Sequence, residues 1–365
     1  MNQNFKKCSV ILISQSELPS SKIGSWTTLY KNYLEGNHVI DYIICPEPDS
    51  KFTTVTYQCT SNTFIDRIKS KIYKKSHLNA LSALKKILKK EENYLIQVVD
   101  NFKIVPDVVT LLQEMELRNN CKIQFFYHGF PPFLDIEKGE QFFKSIDEMV
   151  LLTQDSYQAH LDFYASLPCK FSILPNGIAT SIFHPLEATE KQQLKEILHI
   201  TGKKVFLWCS QDRPKKGLEL VLELWKKNSF PNSVLLVIGS SRNENIPGVS
   251  FLGRIPNFEL PQYYQVSDVY LFPTLCQEGF GLSLIEALSC GCYCIASALG
   301  GVPEVLHYGK FGKLIENPHS IPEWENAINE YLTLPNNPYE LPIDLYSFEE
   351  WRKGMNHIIN EAKIF

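Results

Sequence analysis

Short apolar, β-branched runs alternate along the chain with longer stretches whose apolar positions recur at helical spacing, a pattern that predicts strands separated by helices. In the first half the strand candidates are 9–13, 39–44, 94–99, 122–126, 148–152 and 171–174. A proline-containing stretch, LPNGIATSIFHPLEAT, interrupts them, and a second series follows in KKVFLWCS, SVLLVIG, VSFLG, VYLFPT and CYCIAS. The expected fold class is therefore α/β, with two doubly wound parallel sheets facing each other across a cleft. The restart of the rhythm divides the chain into domains 1–184 and 185–345, with a closing helix over 346–365 whose Phe348, Trp351 and Met355 are apolar. At 365 residues the chain is long enough for two domains of about 180 residues, each burying its own core. In such folds ligands bind beyond the carboxyl ends of the strands, so the loops there are where chemistry belongs.

Composition narrows the classes. Hydrophobic residues at 44% and charged residues at 21% are those of a soluble globular protein, and a net charge of -4 argues against a nucleic-acid binder. One local exception is 67–90, RIKSKIYKKSHLNALSALKKILKK, which holds nine basic residues and no acidic one. Its leucines recur at helical spacing, which fits either a solvated helix or a face attracted to an anionic membrane surface. The ten cysteines lack zinc-site spacing, and Cys290, Cys292 and Cys294 read as small buried hydrophobes after a helix ended by Gly291. The apolar run after Lys6 and Lys7 is too short for a signal peptide and reads as a first strand. No stretch reaches the length of a membrane span, so a reducing, cytoplasmic setting is expected.

The candidate chemistry centres on TLCQEGFGLSLIEALSCGCYCIAS, 274–297, where Glu278 and Glu286 stand eight positions apart around a strand-to-helix turn. A helix beginning near Gly281 exposes the unpaired amides of its first turn, and Gly279 and Gly281 carry no side chain to block an approaching phosphate. The helix dipole adds positive charge there, which favours a diphosphate. Carboxylates beside a diphosphate need hydroxyls to accept from, so a sugar on one side and a ribose on the other suit Glu278 and Glu286.

EGFGLSLIEALSCGCYCIAS followed by GGVPEV resembles the donor-site signature of the family 4 retaining glycosyltransferases. LPNGIATSIFHP resembles that family's segment before the interdomain linker, and SQDRPKKGLELVLELW its basic motif in the second domain. The likeness covers most of 171–308, while KIGSWTTLYKNYL and FFYHGF match loosely. It implies a GT-B architecture of two Rossmann-like domains, a tail that crosses back to the first domain, a nucleotide-sugar donor and retained anomeric configuration. It also assigns roles: Glu286 to the ribose hydroxyls, Glu278 to the transferred sugar, and the segment Gly279, Phe280, Gly281, Leu282 and Ser283 to the donor, with amides on its diphosphate. Arg213 and Lys216 would supply positive charge, although in many relatives the arginine stands further ahead of the lysine than three positions. His128 occupies a loop like one that holds a histidine near the reacting sugar. Gly24 matches one of a pair of donor-site glycines, with Ser25 in place of the second. Asp100 and Asn101 end a strand and are candidates for acceptor hydroxyls, while Gly300 and Gly301 form a supporting turn.

The resulting expectation is a retaining glycosyltransferase that moves a sugar from a UDP- or GDP-sugar to a saccharide or lipid-linked acceptor, in cell-surface polysaccharide or lipopolysaccharide synthesis. Neither cofactor nor metal is expected, since preorganised cations and a helix terminus can stabilise a departing diphosphate and the chain has no D-x-D motif. The expected location is cytoplasmic or peripheral on the inner face of the plasma membrane. Two rivals are a nucleotide-sugar epimerase of the same fold and a nucleotide-sugar-binding protein without catalysis.

Overall fold

The computed structural model describes residues 8–20, 25–60, 77–227, 230–334 and 339–364. Gly24 and the 67–76 half of the basic stretch lie outside them. The described chain divides into two compact units. The first runs to Leu174, apart from Gly129–Pro131, and takes in the closing helix from Glu349 onward; the second comprises Gly129–Pro131 and Pro175–Phe348. The stretch 175–184 thus groups with the second unit. There Ile178 forms a single parallel bridge with Ser347, its N–H donating to Tyr346 O at 2.9 Å while Phe348 N–H donates to Ile178 O at 2.7 Å.

The first unit is built on seven described strands, β1 (Cys8–Ile13), β2 (Tyr42–Pro46), β3 (Thr56–Thr60), β4 (Asn93–Val99), β5 (Cys121–Phe126), β6 (Glu148–Leu151) and β7 (Lys170–Ile173), in the order β3-β2-β1-β4-β5-β6-β7. Every pairing is parallel. One face packs Ile11, Ile96, Val98, Ile123, Phe125 and Met149 against the helices Leu78–Ile87, Val105–Glu114 and Ile136–Ser145. On the other, the Ser25–Glu35 and Phe348–Ala362 helices meet through Tyr30, Tyr33 and Trp351, with ring centroids 5.5–5.9 Å apart. The Tyr33 hydroxyl donates to Asn356 Oδ1 at 2.5 Å. Helix starts follow local chemistry: Asp135 accepts from Lys138 N–H at 2.9 Å and Thr153 from Ser156 N–H at 3.2 Å, each satisfying an amide that the helix leaves unpaired.

A row of polar side chains crosses this otherwise apolar sheet. Gln97 Nε2 donates to Gln124 Oε1 at 2.9 Å, and Gln124 Nε2 donates to Glu148 Oε2 at 2.6 Å. Ser172 Oγ and Lys170 Nζ reach Glu148 Oε1, the latter at 3.3 Å. These residues are direct register partners across β4, β5 and β6, and all three of Gln97, Gln124 and Glu148 are buried.

The second unit has six described strands, β8 (Lys204–Cys209), β9 (Ser233–Ile238), β10 (Val249–Gly253), β11 (Val269–Phe272), β12 (Tyr293–Ser297) and β13 (Lys313–Ile315), ordered β10-β9-β8-β11-β12-β13 and all parallel. Its core packs Phe206, Trp208, Leu235, Leu271 and Ile295 with Trp225 and Trp324. Each sheet reverses its strand order once, between β1 and β4 in the first and between β8 and β11 in the second. Loops diverge at such a point and leave room for a ligand beyond the strand ends.

One expected strand is placed differently. The 39–44 candidate is β2 at Tyr42–Pro46: Val39 and Ile40 are apolar but precede the strand, and Asp41 anchors the approach by accepting from Val10 N–H at 2.8 Å. β3 and β13 were not anticipated. The helix in the described part of the basic stretch, Leu78–Ile87, turns Ala83, Leu84 and Ile87 inward, so its apolar face belongs to the core. Among the described residues no helix is long and apolar enough to cross a membrane.

Candidate functional site

The two loops that diverge at the β8/β11 switch hold most of the candidate residues. After β8, Pro214–Lys216 forms a single tight turn that ends at Gly217, with φ 69°. A Cβ there would come within 1.9 Å of Pro273 O, so only glycine lets this turn lie against the loop after β11. The contact is fastened by Leu275 N–H donating to Lys215 O at 2.8 Å and by the Trp208 indole donating to Lys216 O at 3.1 Å.

That fastening delivers Lys216 to Glu278. The ammonium pairs with Glu278 Oε1, and the two side chains are only 22% and 16% exposed, so the pair is screened from solvent far more than a surface ion pair. Thr274 Oγ1 donates to the same oxygen at 3.0 Å, and Cys276 Sγ lies 3.6 Å from it. All three converge on Oε1 and none on Oε2. The Glu278 backbone is fixed as well: Gly301 N–H donates to Glu278 O at 2.8 Å, and Gly300 forms a parallel bridge with Glu278. Gly300 has φ 67°, and a Cβ on it would fall 2.4 Å from Glu278 O and 2.6 Å from Glu278 N. The supporting turn therefore sets where the carboxylate stands.

The helix Leu282–Ser289 starts from Gly281, whose φ is 87°. Gly281 O accepts from Leu284 N–H at 2.9 Å and from Ile285 N–H at 3.3 Å, while among the described residues no carbonyl accepts from the amides of Gly281, Leu282 or Ser283. Those three unpaired donors are the amides expected to meet a diphosphate. The helix closes at Gly291, with Gly291 N–H on Leu288 O and Cys292 N–H on Ala287 O, both at 3.0 Å. The three cysteines after it are buried free thiols.

Glu286 lies about one turn inside this helix. Burial pushes its carboxyl up to about 7, an effect that the neighbouring Tyr264 phenol partly offsets. Gly279 and Phe280 are buried, and the Phe280 ring turns away into the unit, edge-on to Tyr346 with centroids 5.2 Å apart. Arg213 is exposed, and among the described residues no carboxylate pairs with it. Lys216 and Glu278 are thus brought together, while Arg213 joins them only through its carbonyl, which accepts from Lys216 N–H at 2.8 Å.

The remaining candidates belong to the first unit, beyond the ends of β4 and β5. The Asp100 carboxylate takes the His128 backbone N–H on Oδ1 at 2.8 Å, and its Oδ2 lies 3.2 Å from His128 Nδ1. Asn101 is buried and its side chain makes no helix-capping bond. Thr274, Cys276 and Trp26, which stacks on His128, were not anticipated as site residues. A hydroxyl four positions before Glu278 was the one signal in the sequence that could have flagged Thr274.

Residues 190–342, the part of the second unit that carries these loops, match the protein family described as Glycosyl transferases group 1. The chain carries a glycosyl transferases group 1 domain. Relatives include a probable sucrose-phosphate synthase of Thermosipho melanesiensis, 25% identical over 58% of this chain and 52% of that protein. A D-inositol 3-phosphate glycosyltransferase of Mycobacterium ulcerans is 23% identical over 55% of this chain and 46% of its own length. The chain therefore spans about half the length of these two relatives. It matches 83% of an uncharacterized 41.2 kDa protein in the cps region of Klebsiella pneumoniae, at 26% identity over 80% of this chain. Among solved structures, sucrose-phosphate synthase from Thermosynechococcus elongatus superposes with a TM-score of 0.71 at 18% identity, covering 97% of this chain and 99% of that one. Anabaena HepE in complex with UDP-glucose gives 0.70 at 14% identity, with 97% and 99% covered. At these identities the structural likeness establishes the fold: two parallel-sheet, Rossmann-like domains of the GT-B type.

Proposed function

We propose that this protein is a glycosyltransferase that transfers a sugar, with retention, from a UDP- or GDP-sugar to a saccharide or lipid-linked acceptor, without a metal. The observation that carries the reading is the Lys216–Glu278–Thr274 cluster beside the unpaired helix-start amides at the β8/β11 switch. In the reaction the bond from the anomeric carbon to the donor phosphate oxygen breaks, and a bond from that carbon to an acceptor oxygen forms. The acceptor proton passes to the leaving phosphate, so no side-chain base is needed. Negative charge gathers on the departing diphosphate, where the amides of Gly281, Leu282 and Ser283 and the Lys216 ammonium offset it. Glu278, held through Oε1, has Oε2 left to accept from hydroxyls of the transferred sugar, and Glu286 takes those of the ribose.

The UDP-glucose bound in a protein of this fold supports the donor class, and the cps-region relative supports an acceptor in polysaccharide or lipopolysaccharide synthesis. A peripheral site on the cytoplasmic membrane face rests on Lys85 and Lys86, exposed on the helix that ends the basic stretch.

The test is calorimetric titration of the protein with UDP, GDP, UDP-glucose and GDP-mannose, followed by turnover with and without acceptors and with EDTA. Binding of a nucleotide sugar and acceptor-dependent release of the nucleotide, undiminished by EDTA, are expected. Conversion of the donor into an isomer in the absence of any acceptor would overturn the transfer reading.

A further inference from the structure

His128 is gripped on two sides by groups of its own unit. Along the ring's edge, one carboxylate engages the residue twice: Asp100 Oδ1 accepts the backbone N–H at 2.8 Å, and Oδ2 lies 3.2 Å from Nδ1. Asp100 holds this pose with φ 54°, a left-handed conformation that asparate-type side chains tolerate but that persists only where surroundings enforce it. Across the ring's face lies the Trp26 indole, with centroids 6.0 Å apart and planes within 21°. Trp26 is itself oriented by Tyr30, edge-on at 5.8 Å and 90°, and Tyr30 is fully buried between Phe126 and Trp351. The imidazole keeps only 14% of its side-chain surface exposed.

A carboxylate at Nδ1 determines which ring nitrogen carries the proton, and thereby leaves Nε2 as the reactive position. It does not stop the ring from rocking about the line between the two residues. A flat aromatic surface laid over the ring does. We propose that Trp26 is a positioning residue for His128: the indole fixes the plane of the imidazole while Asp100 fixes its edge, so that Nε2 is presented in a single direction. Asp100 on this view acts through His128, its two oxygens being occupied there. The kinetic consequence rests on the proposed transferase reading, whereas the structural consequence stands apart from it.

The test uses the full chain with Trp26→Leu, Trp26→Phe and, to identify the resonance, His128→Gln, each carrying carbon-13-labelled histidine. The His128 ring protons, identified as the signals missing from His128→Gln, should lie upfield in the indole ring current. They should move downfield in Trp26→Leu and stay partly shielded in Trp26→Phe. With UDP-glucose as the probe and released UDP as the readout, Trp26→Leu should lower kcat by about tenfold to a hundredfold, with the UDP-glucose KM within about twofold of the parent. Trp26→Phe should restore most of the loss. Unchanged His128 signals in Trp26→Leu would overturn the proposal, as would a raised KM with kcat intact, which would make Trp26 a substrate contact. If UDP-glucose is not turned over, the transferase reading loses support while the ring signals still decide whether Trp26 holds His128.

Discussion

Glu286 offers a perturbation whose size follows from its surroundings. Raising its carboxyl from the ordinary 4.5 to about 7 means that the folded chain holds this proton more tightly than the unfolded one. Between those two values the native state binds more protons, so stability falls as pH rises through the window and the full cost is present above about pH 7. The interval corresponds to about 3 kcal/mol, a ceiling because the side chain keeps partial contact with solvent. Glu286→Gln removes the ionisation and hence the slope. Urea unfolding of both proteins from about pH 5 to about pH 8 should show the variant gaining on the parent by up to about 3 kcal/mol across the range. Nucleotide affinity supplies a second reading. If the ribose hydroxyls donate to the carboxylate, UDP should bind the parent more tightly as pH rises towards about 7 and then level off, while Glu286→Gln binds weakly throughout. Stability differences that stay constant from about pH 5 to about pH 8 would refute the argument.

Three further outcomes follow from the described geometry. Lys216→Ala should cut turnover by about a hundredfold or more and Arg213→Ala by less, since only Lys216 is tied to Glu278; equal losses in released nucleotide would remove that distinction. Gly300→Ala should destabilise the second unit by about 1–3 kcal/mol and weaken donor binding, because its Cβ collides with the Glu278 backbone; thermal unfolding and calorimetry would read both, and a neutral result would mean that the turn does not set the glutamate. Sedimentation with anionic vesicles should decline as salt rises if the lysines of the basic stretch reach a membrane, and salt-independent or absent binding would return them to solubility.

The elements legible in the sequence were those that bury continuous apolar runs, such as CSVILI, KVFLWC and SVLLVI. β3, TYQCT, escaped because an edge strand leaves half of its side chains to solvent and loses the apolar signature, and β13, KLI, is too short to carry one. The helix start at Gly281 was visible because a strand run, glycines and a following apolar helical pattern mark the turn. Its supports were not. Whether Thr274 meets Glu278, or Gly300 wedges beneath it, depends on the path of a loop folded onto another loop, which no local pattern encodes. The left-handed turn at Asp100 is of the same kind: the residue type permits it, but only the neighbouring strand end demands it.

The polar row across the first sheet acts as an alignment key. Valine- and isoleucine-rich strands can slide past one another with little change in the apolar area they cover, so greasiness alone chooses poorly among offsets. Shifting β4 or β5 by a single residue would swing an amide to the opposite face, and shifting by two would strand it in a dry interior at about 1–3 kcal/mol per orphaned group. The true offset carries Asp100, three residues past Gln97, to His128, four residues past Gln124. Chemistry at the rim is thus indexed by a match made in the middle of the sheet.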